Sequence, residues 1–249
     1  MSEMIIGEQG ELIEDDPSGS PLHSIDIERD DLNENLGGGI PKGAIILIEG
    51  PPGAGKSILA QRFAYGLIEN DQSLTYVSTE LTTIDFIDQM MSLGYDVTSS
   101  LLSLDLLFVS VYPLIGTMRP QEEYLKRLME AEELFNREII VIDALSNLVA
   151  RSMDTANMST LISFLKKLAG MKKTIIITVE DGELDPISAK ALCATADVYL
   201  QMNLNASEDM ISRVIQVKRF MKAVERVNEI IAFRVEAGLG LVIELAGLA

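Results

Sequence analysis

Residues Gly50 to Ser57 read G-P-P-G-A-G-K-S, set between a short apolar run and a segment of helical spacing. The run before it, Ala44-Ile45-Ile46-Leu47-Ile48, has the composition of a strand buried on both faces. After it, Leu59, Ala60, Phe63, Ala64 and Leu67 recur at helical intervals over Ser57 to Ile68. Strand, glycine turn and helix in this order restrict the chain to folds built on a parallel sheet with crossover helices.

The octapeptide matches G-x-x-x-x-G-K-[ST] at every fixed position. Gly50, Gly53 and Gly55 allow backbone N–H groups to turn inward toward phosphate oxygens. Lys56 offers a cation to the β- and γ-phosphates, and the Ser57 hydroxyl is a ligand for Mg²⁺. The helix that follows turns its positive end toward the anion. The expected cradle for a nucleoside triphosphate is therefore Gly50, Pro51, Pro52, Gly53, Ala54, Gly55, Lys56, Ser57 and Ile58. The complete pattern with these flanks sets aside a ligand-free glycine turn.

Further along, Leu74–Ser78, Leu106–Val111, Glu138–Ile142 and Thr174–Val179 read as strands. Between them, helices are expected from Thr82 or Thr83 to Met91, over Gln121–Asn136 and over Ser159–Leu168, with another over Ile187–Ala196. Val198–Leu204, Ile211–Phe220, Glu229–Val235 and Leu241–Leu245 are strand-like with little helix between them, which predicts an antiparallel extension. The predicted fold is α/β: a central, mainly parallel sheet with helices on both faces and an antiparallel C-terminal part.

Three further positions carry chemistry. Asp143 closes the apolar strand before it, the place of a Walker B carboxylate that would hold Mg²⁺ with Ser57. An aspartate that only caps the following turn is the plainer alternative. Some nucleotide hydrolases place a glutamate directly after that aspartate, but here the position is Ala144. The candidate water-polarising base is instead Glu80, at the end of Leu74–Ser78 and its following turn. Its alternative is an inert charge near a helix N-terminus. Late in the chain, Lys218, Arg219, Lys222 and Arg226 form a cationic cluster. Lys218, Arg219 and Lys222 are candidates to reach the γ-phosphate in a neighbouring subunit, with contact to an acidic partner or a solvated hairpin as alternatives.

Net charge is −18, which disfavours nucleic acid as a partner. Residues 1–36 concentrate it, with eleven acidic side chains against one basic, Arg29. Residues 1–31 are read as an acidic segment, flexible or docked at an edge, and 32–249 as one domain. His23 lies in a polar stretch and is read as a surface residue. One cysteine, Cys193, excludes an internal disulfide and suits a reducing, cytoplasmic setting. No apolar run reaches the roughly 18 residues of a membrane-spanning helix.

Two more stretches, Leu36-Gly37-Gly38-Gly39-Ile40-Pro41-Lys42-Gly43 and Tyr76-Val77-Ser78-Thr79-Glu80, join the loop and Ile140-Val141-Ile142-Asp143. Together they resemble the RecA/KaiC superfamily of P-loop ATPases, over roughly Leu32 to Leu245. Within it, the chain is most similar to the accessory ATP-binding proteins of the archaellum motor. The resemblance implies a RecA-like fold, binding of ATP with Mg²⁺ and nucleotide-dependent self-association, a hexameric ring among the forms. It also implies docking to the motor's secretion-type ATPase and its membrane platform protein, at the cytoplasmic face, with little turnover. KaiC-like proteins carry two adjacent glutamates where this chain has Glu80-Leu81, a departure that bears on hydrolysis. An active KaiC-type ATPase using Glu80, and a RecA-like DNA-binding motor, stand as alternatives.

Overall fold

The computed structural model describes residues 20–111, 122–149, 155–206 and 211–244. In chain order the elements are β1 (Leu22–His23), α1 (Leu32–Asn35), β2 (Ile40–Pro41), β3 (Ile45–Gly50), α2 (Lys56–Glu69), β4 (Leu74–Ser78), α3 (Thr83–Ser92), α4 (Thr98–Ser103) and β5 (Leu106–Ser110). They continue as α5 (Glu122–Glu130), β6 (Ile139–Asp143), α6 (Leu145–Val149), α7 (Thr155–Gly170), β7 (Thr174–Glu180), α8 (Pro186–Thr195), β8 (Val198–Ala206), β9 (Ile211–Phe220), β10 (Ile230–Glu236) and β11 (Gly240–Glu244).

Among the described residues, nine strands form one sheet in the order β11-β10-β9-β8-β3-β7-β6-β4-β5. From β8 to β5 all neighbours are parallel, and from β8 to β11 all are antiparallel. β3 therefore lies inside the sheet, between β7 and β8. Its side chains alternate between two apolar layers. Ile46 and Ile48 join a cluster with Phe63, Tyr76 and Phe86, whereas Ile45 and Leu47 join one with Leu161, Leu165 and Leu192. β6 alternates in the same way, with Ile139 and Val141 on one side and Ile140 and Ile142 on the other. Burial on both faces is why Ile45–Ile48 and Ile139–Ile142 are apolar at every position. Each such side chain contributes about 1.5–3 kcal/mol relative to exposure.

The amphipathic stretch predicted over Gln121–Asn136 is divided. α5 ends at Glu130, and Glu132–Phe135 is a tighter 3₁₀ turn. Ala131 leaves the helical conformation, and Phe135 is buried edge-on against Phe164, with ring centroids 5.0 Å apart. Residues 1–19 of the acidic segment, and Gln121 at the start of that predicted helix, lie outside the described residues.

Residues 20–31 lie against the sheet layers. Arg62, in α2, donates through Nε to Asp30 Oδ2 at 2.7 Å and through Nη2 to Asp30 Oδ1 at 2.8 Å; its Nη1 reaches Ile25 O at 2.9 Å. Both members of the pair are buried, which suits the fixed fork of arginine. His23 is not a surface residue, contrary to its polar neighbourhood in sequence. It is 3% exposed, with Nδ1 3.2 Å from Gln72 Oε1 and Nε2 3.1 Å from Thr174 Oγ1. Short pairing of β1 with β2 draws it inward.

Candidate nucleotide site

β3 ends at Gly50 because the chain must close on β8 there. A Cβ at Gly50 would stand 2.6 Å from Met202 O, so this glycine permits close approach rather than an inward turn. The turning falls to Gly53 and Gly55, at φ 75° and 96°. Gly55 is also the N-cap of α2, so the helix starts at Lys56 with its first N–H groups directed at the loop. Lys56 is buried. Its Nζ donates to Gly50 O at 2.9 Å and to Pro51 O at 3.0 Å, and lies 3.5 Å from Glu180 Oε2. The loop thus holds its cation by its own carbonyls and by one carboxylate.

Ser57 and Asp143, from α2 and β6, meet. Ser57 Oγ donates to Asp143 Oδ1 at 3.0 Å. Asp143 is 4% exposed and accepts two more bonds, from Thr178 Oγ1 to Oδ1 at 2.6 Å and from Tyr76 OH to Oδ2 at 2.8 Å. Burial, and then the Asp143 carboxylate beside it, holds the Tyr76 phenol well above the ordinary tyrosine range, so it stays a donor. Asp143 is therefore more than a turn cap. The donors at this end are hard oxygens, a hydroxyl and a carboxylate, which fit Mg²⁺. Among the described residues no group of three or more His, Cys, Asp or Glu could hold a metal. Mg²⁺ takes one or two carboxylates and completes its shell with water and phosphate oxygens. When bound, such an ion neutralises charge on the phosphates; Ser57 and Asp143 would hold it.

Glu80 lines the same cleft, of ≈ 390 Å³, with Lys56 and Ser57. It is exposed, and its Oε1 accepts from Asn147 Nδ2 at 2.8 Å. The same amide nitrogen lies 3.2 Å from Thr79 Oγ1, which in turn accepts from Ala144 N at 3.0 Å. A chain of hydrogen bonds thus links the carboxylate to the backbone just after Asp143. Leu81, next to Glu80, packs against the core instead of adding a second charge.

The cationic cluster lies elsewhere. β9 runs antiparallel to β8, and Phe220 pairs with Val198, itself opposite Ile46 near the start of β3. Lys218, Arg219 and Lys222 are exposed at that end of the sheet, away from this chain's own loop. Arg219 Nη1 donates to the carbonyls of Cys193, Ala194 and Ala196 at 2.9, 3.4 and 2.7 Å, capping the end of α8. The same antiparallel course brings Arg213 to the loop. Its Nε donates to Gly53 O at 3.1 Å, and it lines the cleft. Arg213, Asn147 and Glu180 belong to no motif. Only strand register, with Gly50 opposite Glu180, could have indicated the last of them.

The loop, the Ser57–Asp143 contact and the sheet order define a P-loop ATPase of the RecA/KaiC class. The family model for the KaiC ATPase matches residues 27–244. An archaeal flagellar ATP-binding protein FlaH of Methanocaldococcus jannaschii is 38% identical, over 92% of this chain and 98% of its own length. That of Methanococcus voltae is 34% identical over 90% and 98%. The crystal structure of the flagellar accessory protein FlaH from M. jannaschii superposes with a TM-score of 0.84 at 37% identity, covering 90% of this chain and all, 100%, of that one. A KaiC-like protein from Pyrococcus horikoshii, 19% identical with a TM-score of 0.70, shares the fold. The chain belongs to the KaiC family of ATPases and, within it, to the FlaH proteins.

Proposed function

We propose that the chain binds ATP with Mg²⁺ in the Gly50–Ile58 cradle and acts as a nucleotide-dependent regulatory and assembly component of the archaeal flagellar motor. The observation that carries this reading is the Ser57–Asp143 contact beside Lys56, a finished seat for triphosphate and metal. The names of its FlaH relatives supply the motor and the nucleotide. Low turnover is read from Ala144, which stands where some nucleotide hydrolases carry a carboxylate, and from Glu80, which is tied to Asn147. Occupancy, rather than hydrolysis, would switch self-association, into a ring such as a hexamer, and docking to the motor's secretion-type ATPase and membrane platform protein. No helix among the described residues is long and apolar enough to cross a membrane, so attachment at its cytoplasmic face would go through those partners. Lys218, Arg219 and Lys222 are the surface through which one copy would reach a neighbour's nucleotide. Nucleic acid is not among the proposed partners, given the net charge of −18.

Titration calorimetry with ATP and Mg²⁺, run beside measurements of oligomer size and phosphate release, tests this function. Binding with a change of oligomer size and little phosphate release is expected. Steady turnover of several per second from pure protein would overturn the regulatory reading. The second reading, an active KaiC-type ATPase, is favoured by one observation: Glu80 faces the same cleft as Lys56. It requires Glu80→Gln to abolish hydrolysis.

A further inference from the structure

Lys56 Nζ donates to Gly50 O and Pro51 O, and the Glu180 carboxylate pairs with its charge at 3.5 Å. Glu180 ends β7 directly opposite Gly50, and its side chain is 33% exposed on the cleft wall. Gly50 O accepts from Asp181 N at 3.1 Å as well as from Lys56, so the end of β7 is fastened to the first residue of the loop. A phosphate that approaches Lys56 therefore competes with Glu180 for its charge and lies near a fixed negative group. A glutamine of the same length would fill the space without repelling an anion. The surroundings sharpen the effect: partial burial and the charge of Glu49 push Asp181 upward, as expected where carboxylates crowd.

We propose that Glu180 is an internal counter-anion that occupies Lys56 in place of a phosphate and makes the site select metal-complexed over metal-free nucleotide. The inference rests on the nucleotide-binding reading above and adds the residue that sets its metal requirement. Repulsion from one fixed carboxylate grows with the ligand's charge. Free ATP carries about four negative charges and its Mg²⁺ complex about two, so Glu180 penalises the free form more. The site responds to the metal complex, and the Ser57–Asp143 seat and the Glu180 counter-anion act toward the same discrimination.

Calorimetric titration of the full chain with ATP, once with Mg²⁺ and once with EDTA, tests this for wild type, Glu180→Gln, Glu180→Asp and Lys56→Ala. Glu180→Gln should tighten binding of free ATP by roughly tenfold, and binding of the Mg²⁺ complex by much less. Glu180→Asp, which keeps the charge, should retain most of the wild-type preference. Thermal unfolding without nucleotide checks that each variant is folded, and Glu180→Ala serves if the glutamine variant is not. Equal changes in both conditions, no change, or weaker binding of free ATP by a folded glutamine variant would overturn the role of Glu180. The two failures are distinguishable. If wild type binds and Lys56→Ala does not, but Glu180→Gln matches wild type, only this inference falls. If neither wild type nor Glu180→Gln binds ATP in either condition, the nucleotide reading falls and takes this inference with it.

Discussion

The metal end of the site is Asp143, 4% exposed and accepting bonds from Ser57, Thr178 and Tyr76. Its water end is Glu80, two residues past the Ser78 that pairs with Asp143, exposed and accepting from Asn147. The first carboxylate is held by groups from α2, β4 and β7, so it is oriented before any ligand arrives and little ordering remains to oppose binding. The second sits on the turn after β4. To act as a base it must reach within about 2.6–3.2 Å of a water, and its bond to Asn147 competes with that alignment. A site can thus be prepared for binding and unprepared for hydrolysis within one cleft.

The strongest way to break this contrast is at the loop. Lys56→Ala is expected to weaken ATP binding by roughly 100-fold or more, because it removes a buried cation from the phosphates. Calorimetry reads it directly, and unchanged affinity would dismiss the loop as the seat. Next in size, Asp143→Ala should reduce the enhancement of ATP binding by Mg²⁺ by about tenfold or more while leaving metal-free binding much less affected. Equal Mg²⁺ dependence in variant and wild type would remove Asp143 from the metal end.

The well-ordered end is also the end that could be read from sequence. Gly50 to Ser57 and Asp143 stand in fixed relation to apolar strands, and burial on both faces makes such strands conspicuous. For helix α3 the sequence leaves the cap open between Thr82 and Thr83, and the structure uses Thr82, which forms a capping box with Asp85. What escaped depends on long-range register. Arg213 reaches Gly53 because β9 runs antiparallel to β8, and Glu180 meets Lys56 because β7 lies beside β3. His23 has polar neighbours in sequence, yet two-residue pairing with β2, invisible in local composition, draws it inward. Gly50 fits the turn pattern, whereas close approach to Met202 is what requires it.

A smaller change separates orientation from charge at the metal end. Tyr76→Phe keeps the ring against Phe86 and Phe108 and deletes only the hydroxyl that donates to Asp143. Loss of a bond to a buried carboxylate should cost about 1–3 kcal/mol of stability. Urea unfolding measures it, and an accompanying few-fold loss of Mg²⁺ enhancement is expected because the carboxylate is less fixed. Unaltered stability and metal response would mean that Ser57 and Thr178 suffice, and that end of the cleft would be less tightly prepared than its bonding suggests.

The smallest effects on affinity belong to the water end. Asn147→Ala and Glu80→Gln should each change the ATP dissociation constant by less than about threefold, since both groups are exposed and screened. Phosphate release in a single turnover distinguishes them. If the amide restrains Glu80, Asn147→Ala raises the rate, and adding Glu80→Gln to it removes the gain. A fall in rate with Asn147→Ala would instead make the amide an aid to alignment. The contrast between the two ends would then shrink to a difference in burial, because both carboxylates would be held in working position by their neighbours.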